Sequence, residues 1–202
     1  RSLLHDIGRF EQYHRYRTFM DSNSADHAEL GLEIIAAESL LEWLEQEDAE
    51  AVTEAIRNHN RLYVCDRLSG RNLLFALMLR DADKLDIWNV VLEYYEEHTD
   101  NPAVKLDLAD DDEVSEKVLR DLLAYRLADK RDFRSLNDFK RNQLAWIYDL
   151  NFPGSCERAR ERGFLPRVFR HIKPLRGVNR VYARSMTYLY GKGVSPGYLS
   201  LN

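Results

Sequence analysis

A His-Asp doublet, His5-Asp6, stands in the run LLHDIGRF and offers an imidazole nitrogen beside a carboxylate oxygen. That pairing suits a divalent metal of borderline hardness. Two more histidines follow, His27 in DHAELG and His59 in AIRNHNR, and then Asp81, Asp83 and Asp86 in the segment RDADKLD. Mixed His/Asp ligation favours Mn, Fe, Co, Ni or Zn over Mg, which prefers shells made only of oxygen. One or two such ions would acidify bound water towards a pKa of about 7. The chemistry open to this set is therefore metal-assisted hydrolysis.

Helices must position these residues. At 100° per residue, Leu3, Leu4, Ile7 and Phe10 share one apolar arc, and His5, Asp6 and Arg9 fall opposite it. Arg9 is thereby the first candidate for a cation contacting an anionic group of a substrate, and Lys84, beside Asp83, the second. Leu30, Gly31, Ile34 and Leu41 continue the face of His27, which predicts an inward histidine, with Gly31 allowing another backbone to approach. Val52, Ala55 and Ile56 lead into His59 along one stripe, and the last turn of that helix favours a nearby cation. Asp81 and Asp83 each share a face with large apolar residues. An ionised carboxylate there needs a partner, for which Arg80 and Lys84 compete with a metal. Periodicity does not choose between the two aspartates.

Stepwise along the chain, Ser24 or Asp26 caps a helix expected to run to about Glu47, and another follows over 48–59. A loop over 60–71 leads to a long helix from about Asn72 to His98, with further helices near 113–126 and 136–150. Pro153, Pro166, Pro174 and Pro196 break the last fifty residues into short helices. No alternating stretch is long enough for a strand, so the expected class is all-α. A chain of 202 residues fits one domain with a helical extension; the division expected is a core over 1–100 and a C-terminal helical extension over 101–202.

LLHDIGR, HAELG and ADKLD together resemble the HD superfamily of metal-dependent phosphohydrolases. The resemblance spans at least Leu3 to Asp86 and implies a helical bundle around a metal centre. LLHDIGR matches the family's doublet, so it implies that His5 and Asp6 are ligands, with Asp6 bridging two ions where two are bound. HAELG matches the His-x-x-x-Gly of two-metal members at His27, and RNHNR the next histidine position at His59. The family's Ala-Asp with a second Asp three residues on selects Asp83 over Asp81. Site residues implied are thus His5, Asp6, His27, His59 and Asp83 for metal, with Asp6, Arg9 and Lys84 in catalysis. The family's first histidine lies upstream of the doublet, which leads us to expect a further helix before Arg1 carrying it. The His-Glu and Gly-Tyr-Pro signature of the HD-GYP branch is missing after His59, where NRLYVCDRLSG stands, and Gly197-Tyr198 is not that motif. HD-GYP activity is not expected.

The remaining sequence bounds the partners. A net charge of −5 argues against a dedicated nucleic-acid binder. No apolar run approaches the roughly 20 residues that span a bilayer. Cys65 and Cys156 have no paired spacing, so a reducing cytoplasm is the default. The partner implied is a small phosphorylated substrate, first of all a nucleotide, and a homo-oligomer is compatible with it. His14, in EQYHRYRTF, is expected on an exposed loop. The acidic run 107–116 lacks the ligand spacing of a calcium loop, and the basic segment 157–184 reads as a solvated surface. The competing function is a non-catalytic HD module that binds metal or nucleotide and regulates a partner.

Overall fold

A computed structural model describes residues 4–97 and 108–191. Leu3, His98, Asp107 and Gly197-Tyr198 lie outside the described residues. Among those described the chain is all-α, as expected, and forms two compact units, Arg1–Asp83 and Lys84–Asn202.

In the first unit α1 (Gly8–Tyr16) is followed by a 3-10 turn (Asp21–Asn23), then α2 (His27–Ala37) and α3 (Gln46–His59). The long α4 (Gly70–Glu97) begins in this unit and passes Asp83 into the next. Asp26 caps α2, its carboxylate accepting from the Ala28 N–H at 2.9 Å. That helix stops ten residues short of the expected Glu47, because Ser39 adopts a left-handed φ of 54°. No glycine marks the spot, so the sequence hides the break. The first helix is also shorter than expected. Residues 4–7 form turns, with Ile7 N–H bonded to Leu4 O and Arg9 N–H to Asp6 O, and the helix proper starts at Gly8.

Gly8 explains how α1 meets α2. A Cβ added there would lie 2.1 Å from His27 O and 2.5 Å from Gly31 N, so only two glycines allow these backbones to touch. Leu4 and Ile7 pack against the buried cluster of Ala28, Ile35 and Ile56, with Val52 and Leu79 beside them. Phe10 does not join them. It is 81 % exposed, which corrects the arc drawn through it.

In the second unit α5 (Glu116–Leu123), α6 (Leu136–Ala145), α7 (Pro153–Glu161), α8 (Phe164–Phe169) and α9 (Val178–Gly191) surround the rest of α4. The helix expected to run from 136 to 150 tightens into a 3-10 turn at Trp146–Asp149. Trp88, Leu92, Leu122, Leu144, Ile147 and Phe164 form the apolar core, with Trp88 stacked on Phe164 at 5.1 Å. Every residue of α6 is buried, and Trp88 donates its indole N–H to Gln143 O in that helix.

Candidate metal centre

His5 and Asp6 occupy the turn that enters α1, His27 is the first residue of α2, His59 the last of α3, and Asp83 lies along α4. The Gly8–Gly31 contact pins the doublet's turn against the start of α2. Arg80 secures the other side: its guanidinium donates to Asn58 O at 2.8 Å and Arg61 O at 2.7 Å, tying the carbonyl end of α3 to α4. The five sequence candidates are thereby brought together within the first unit.

Asp6 stands between two subsets. Its Oδ2 is 3.2 Å from His5 Nε2, which is also 3.2 Å from Asp83 Oδ1. Its Oδ1 faces His27 Nε2 at 3.4 Å and His59 Nε2 at 4.0 Å. His27 Nε2 and His59 Nε2 are 3.0 Å apart. Asp83 is thus the aspartate that meets His5; Asp81, two residues before it in α4, is buried.

The hydrogen-bond partners place a proton on Nδ1 of both rings. His59 Nδ1 lies 2.7 Å from Ile56 O, a carbonyl that can only accept, so the proton is on Nδ1. His27 Nδ1 lies 2.9 Å from both oxygens of Asp21, so it donates there as well. Each ring then turns Nε2 inward, towards the other ring and towards Asp6 Oδ1. Burial pushes the His59 imidazole down to about 4, helped by the neighbouring His27 and His5, so at neutral pH its lone pair is free of a proton. Burial opposes ionisation of Asp6, but the hydrogen bond from His5 and the charges of His5, Arg9 and His27 outweigh it. The carboxyl is held well below the usual range.

Asp21 and Gln12 belong to the site although sequence reasoning did not single them out. Asp21 orients His27, and its carboxyl is lowered to about 2: burial opposes, and His27, Arg9 and Gln12 prevail. Gln12, fully buried, donates to Asp21 Oδ1 at 2.8 Å, Ser24 Oγ and Ala25 O, fastening the loop to α1. The one available signal was the polar DSNSAD loop running into His27. Arg9 joins the same network, with Nη1 on Phe19 O at 2.7 Å and Asp21 Oδ1 at 3.3 Å and Nε 3.5 Å from Asp6 Oδ1. Lys84 falls in the second unit, where its ammonium pairs with Asp149 Oδ2 at 2.5 Å. His14 is exposed, as expected, but on α1 and not on a loop.

Two donor groups are close enough to share an ion: His5, Asp6 and His59, and Asp21, Asp26 and His27. In the second group Asp26 caps α2 and accepts from Asn60 Nδ2 at 2.8 Å, while Asp21 takes the proton of His27 Nδ1. We therefore assign Asp21 and Asp26 to support, and count His27 Nε2 with the cluster around Asp6. The first group fits a metal on its own chemistry. Ligands about 2.1 Å from a common ion at octahedral or tetrahedral angles lie about 3.0–3.4 Å apart. The His5–Asp6 separation falls in that range, as do His5–Asp83, His27–Asp6 and His27–His59 beside it, while His59–Asp6 is wider at 4.0 Å. Three imidazoles and two carboxylates converging at such distances make a donor set suited to a divalent transition metal.

The family profile of the HD domain matches residues 2–133. The chain belongs to the HD domain family. HD domains form a superfamily of metal-dependent phosphohydrolases, which bind divalent metals and act on phosphorylated substrates. Comparison with curated proteins and with solved structures returns no match. No helix among the described residues is long and apolar enough to cross a membrane.

Proposed function

We propose that this HD-domain chain hydrolyses a small phosphoester. In this reading His5, Asp6, His27, His59 and Asp83 hold one or two divalent transition-metal ions, and Arg9 contacts the substrate phosphate. The observation that carries the proposal is the nest of His27 Nε2, His59 Nε2 and Asp6 Oδ1, which lie 3.0–4.0 Å from one another. A bound ion supplies Lewis acidity, which makes water a nucleophile near neutral pH and neutralises charge on phosphorus-bound oxygens.

The chain's own residues then divide the work. Ionised Asp6 offers one oxygen to each ligand subset, so a single carboxylate serves both. Asp21 and Ile56 O hold the two rings with Nε2 facing inward, which removes the need to reorient when an ion arrives. Arg9 Nη2 makes no hydrogen bond among the described residues, and the side chain is partly exposed. That nitrogen is the donor left for a phosphate oxygen. Lys84 is left out of the proposal because Asp149 already holds its ammonium.

The test is elemental analysis followed by a screen of phosphomonoesters, cyclic nucleotides and nucleoside triphosphates with Mn²⁺, Co²⁺ or Ni²⁺. Turnover is expected in the wild type and a loss of at least about 100-fold in Asp6→Asn, the scale on which removing a charge-stabilising group acts. Arg9→Lys should lower kcat/KM while keeping bound metal. Full turnover by Asp6→Asn at saturating Mn²⁺ refutes the mechanism. Metal binding with no turnover across the screen favours the regulatory HD module instead.

A further inference from the structure

The segment leaving α1 folds straight back onto it and builds a surface beside Arg9. Arg17, at φ 57°, ends the helix and returns its N–H to Tyr13 O. The chain then brings Phe19 O onto Arg9 Nη1, and the Phe19 ring onto the Tyr13 ring. The two rings are stacked, with centroids 4.9 Å and planes 15° apart. The Arg17 guanidinium stands 5.8 Å from the Tyr13 centroid. Neither ring enters the buried cluster of this unit; Phe19 remains 37 % exposed and Tyr13 45 %.

Two properties set this stack apart from a scattered exposed aromatic. It is ordered from both sides, by the ring contact itself and by the hydrogen bond that fixes the backbone of Phe19. It is also tied to the metal centre through one side chain, since Arg9 bonds Phe19 O and approaches Asp6 Oδ1. Arg9 and Tyr13 are four residues apart, on one face of α1 and about 6 Å apart along its axis. A phosphoester anchored at Arg9 therefore has its organic part within reach of the rings.

We infer that the outer face of the Tyr13–Phe19 stack receives the planar base of a nucleotide whose phosphate sits at Arg9. The inference rests on the phosphoester reading of the metal centre and narrows its substrate class. Stacking uses the π-face that every base has, so it selects a ring without selecting a sequence of hydrogen-bonding groups. A purine, with the larger face, gains most. A sugar phosphate without a base would meet Arg9 and the metal centre alone.

The test is calorimetric titration of the full chain with Mn²⁺ present, using adenosine 5′-monophosphate and ribose 5-phosphate. The nucleotide should bind at least about tenfold more tightly, within the range that stacking on an aromatic side chain provides. Phe19→Ala should bring the ratio of the two affinities close to one, and Phe19→Trp should keep it. Circular dichroism checks that both variants fold, which the exposure of this ring favours. Equal affinities in the wild type, no binding of either ligand, or a ratio unchanged in Phe19→Ala overturns the subsite. The two readings fail separately. A ratio that behaves as expected with no hydrolysis keeps the subsite and removes the phosphohydrolase, whereas hydrolysis with a ratio near one does the reverse.

Discussion

In Arg1–Asp83 the buried apolar cluster comes down to Ala28, Ile35 and Ile56, while Gln12, His27, Asn58, His59, Arg80 and Asp81 are buried among the helices. In Lys84–Asn202 a continuous apolar core runs from Trp88 through Leu122 and Ile147 to Leu189. Both units bury charge, but they treat it differently. Asp138 in α6 accepts from the Ser115 and Arg134 backbone N–H groups and from Arg141, so donors meet acceptors inside the protein. Around Asp6, imidazole nitrogens and carboxylate oxygens crowd within 3.0–4.0 Å of one another. A region built that way is stabilised by whatever cation it binds, whereas the other is stabilised by area removed from water. Under the metal-centre proposal, Arg1–Asp83 is the half organised for a ligand.

The largest effect should come from cutting into the apolar half. Leu122 is fully buried, and Leu122→Ala should destabilise the protein by about 2–5 kcal/mol through lost transfer energy and the cavity left behind. Its metal affinity should stay as in the wild type. Metal should act the other way: at about 100 times Kd, Mn²⁺ should add about 2.7 kcal/mol of stability, and a chelator should remove it. Urea unfolding of both proteins, with and without Mn²⁺, reads both quantities. A Leu122→Ala protein that binds metal several-fold more weakly would break the comparison.

A second change attacks the polar half through its backbone. Gly8→Ala forces a methyl group to within 2.1 Å of His27 O and 2.5 Å of Gly31 N, and rigid backbone cannot yield as a side chain can. The expected cost is about 1–3 kcal/mol, the usual range for overpacking. Because the contact pins His5-Asp6 to the start of α2, metal affinity should fall with it. Gly154→Ala is the control, since a Cβ there meets nothing within 4 Å and the backbone is ordinary helix. It should leave stability within about 1 kcal/mol and metal binding untouched. Equal behaviour of the two alanine variants in thermal melts would contradict the proposed crossing.

These residues also show what could be seen in the sequence. The helical class followed from periodicity, because 3.6-residue spacing dominates and nothing alternates. His27 and His59 could be placed at inward positions from their apolar neighbours, and Gly31 could be read as a close approach. Its partner Gly8 could not, because contact between two helices 23 positions apart leaves no local pattern. Asp83 could not be separated from Asp81 by its own surroundings; family resemblance chose it, and the fold sets it 3.2 Å from His5. Asp21 escaped for a different reason. Its role depends on a polar loop folding back through Gln12, and loop geometry has no period to read. Phe10 misled because the arc through Leu4 and Ile7 assumed a helix that starts only at Gly8.

The smallest expected effect gives the finest division between the two units, because it removes the same kind of bond from each. Ser115 caps α5, its Oγ accepting from the Val118 N–H at 3.3 Å. Asp26 caps α2 by accepting from the Ala28 N–H at 2.9 Å and also receives Asn60 Nδ2 at 2.8 Å. Ser115→Ala and Asp26→Ala should each cost about 1 kcal/mol, the typical value of a lost N-cap. The difference lies in what else moves. His27 is the first residue of α2, next to the lost cap, and Asn60 follows His59 directly at the end of α3. Fraying there loosens both rings whose Nε2 atoms face one another, so Asp26→Ala should weaken Mn²⁺ binding by about 10-fold, as loss of outer-shell support commonly does. Ser115→Ala should leave it unchanged, because α5 caps into the apolar half. Asp26→Asn, which keeps an accepting oxygen, should recover most of the loss. If Asp26→Ala and Ser115→Ala lowered stability alike and neither altered metal affinity, the end of α2 would be ordinary scaffold, and the division of labour between the two units would have to be redrawn.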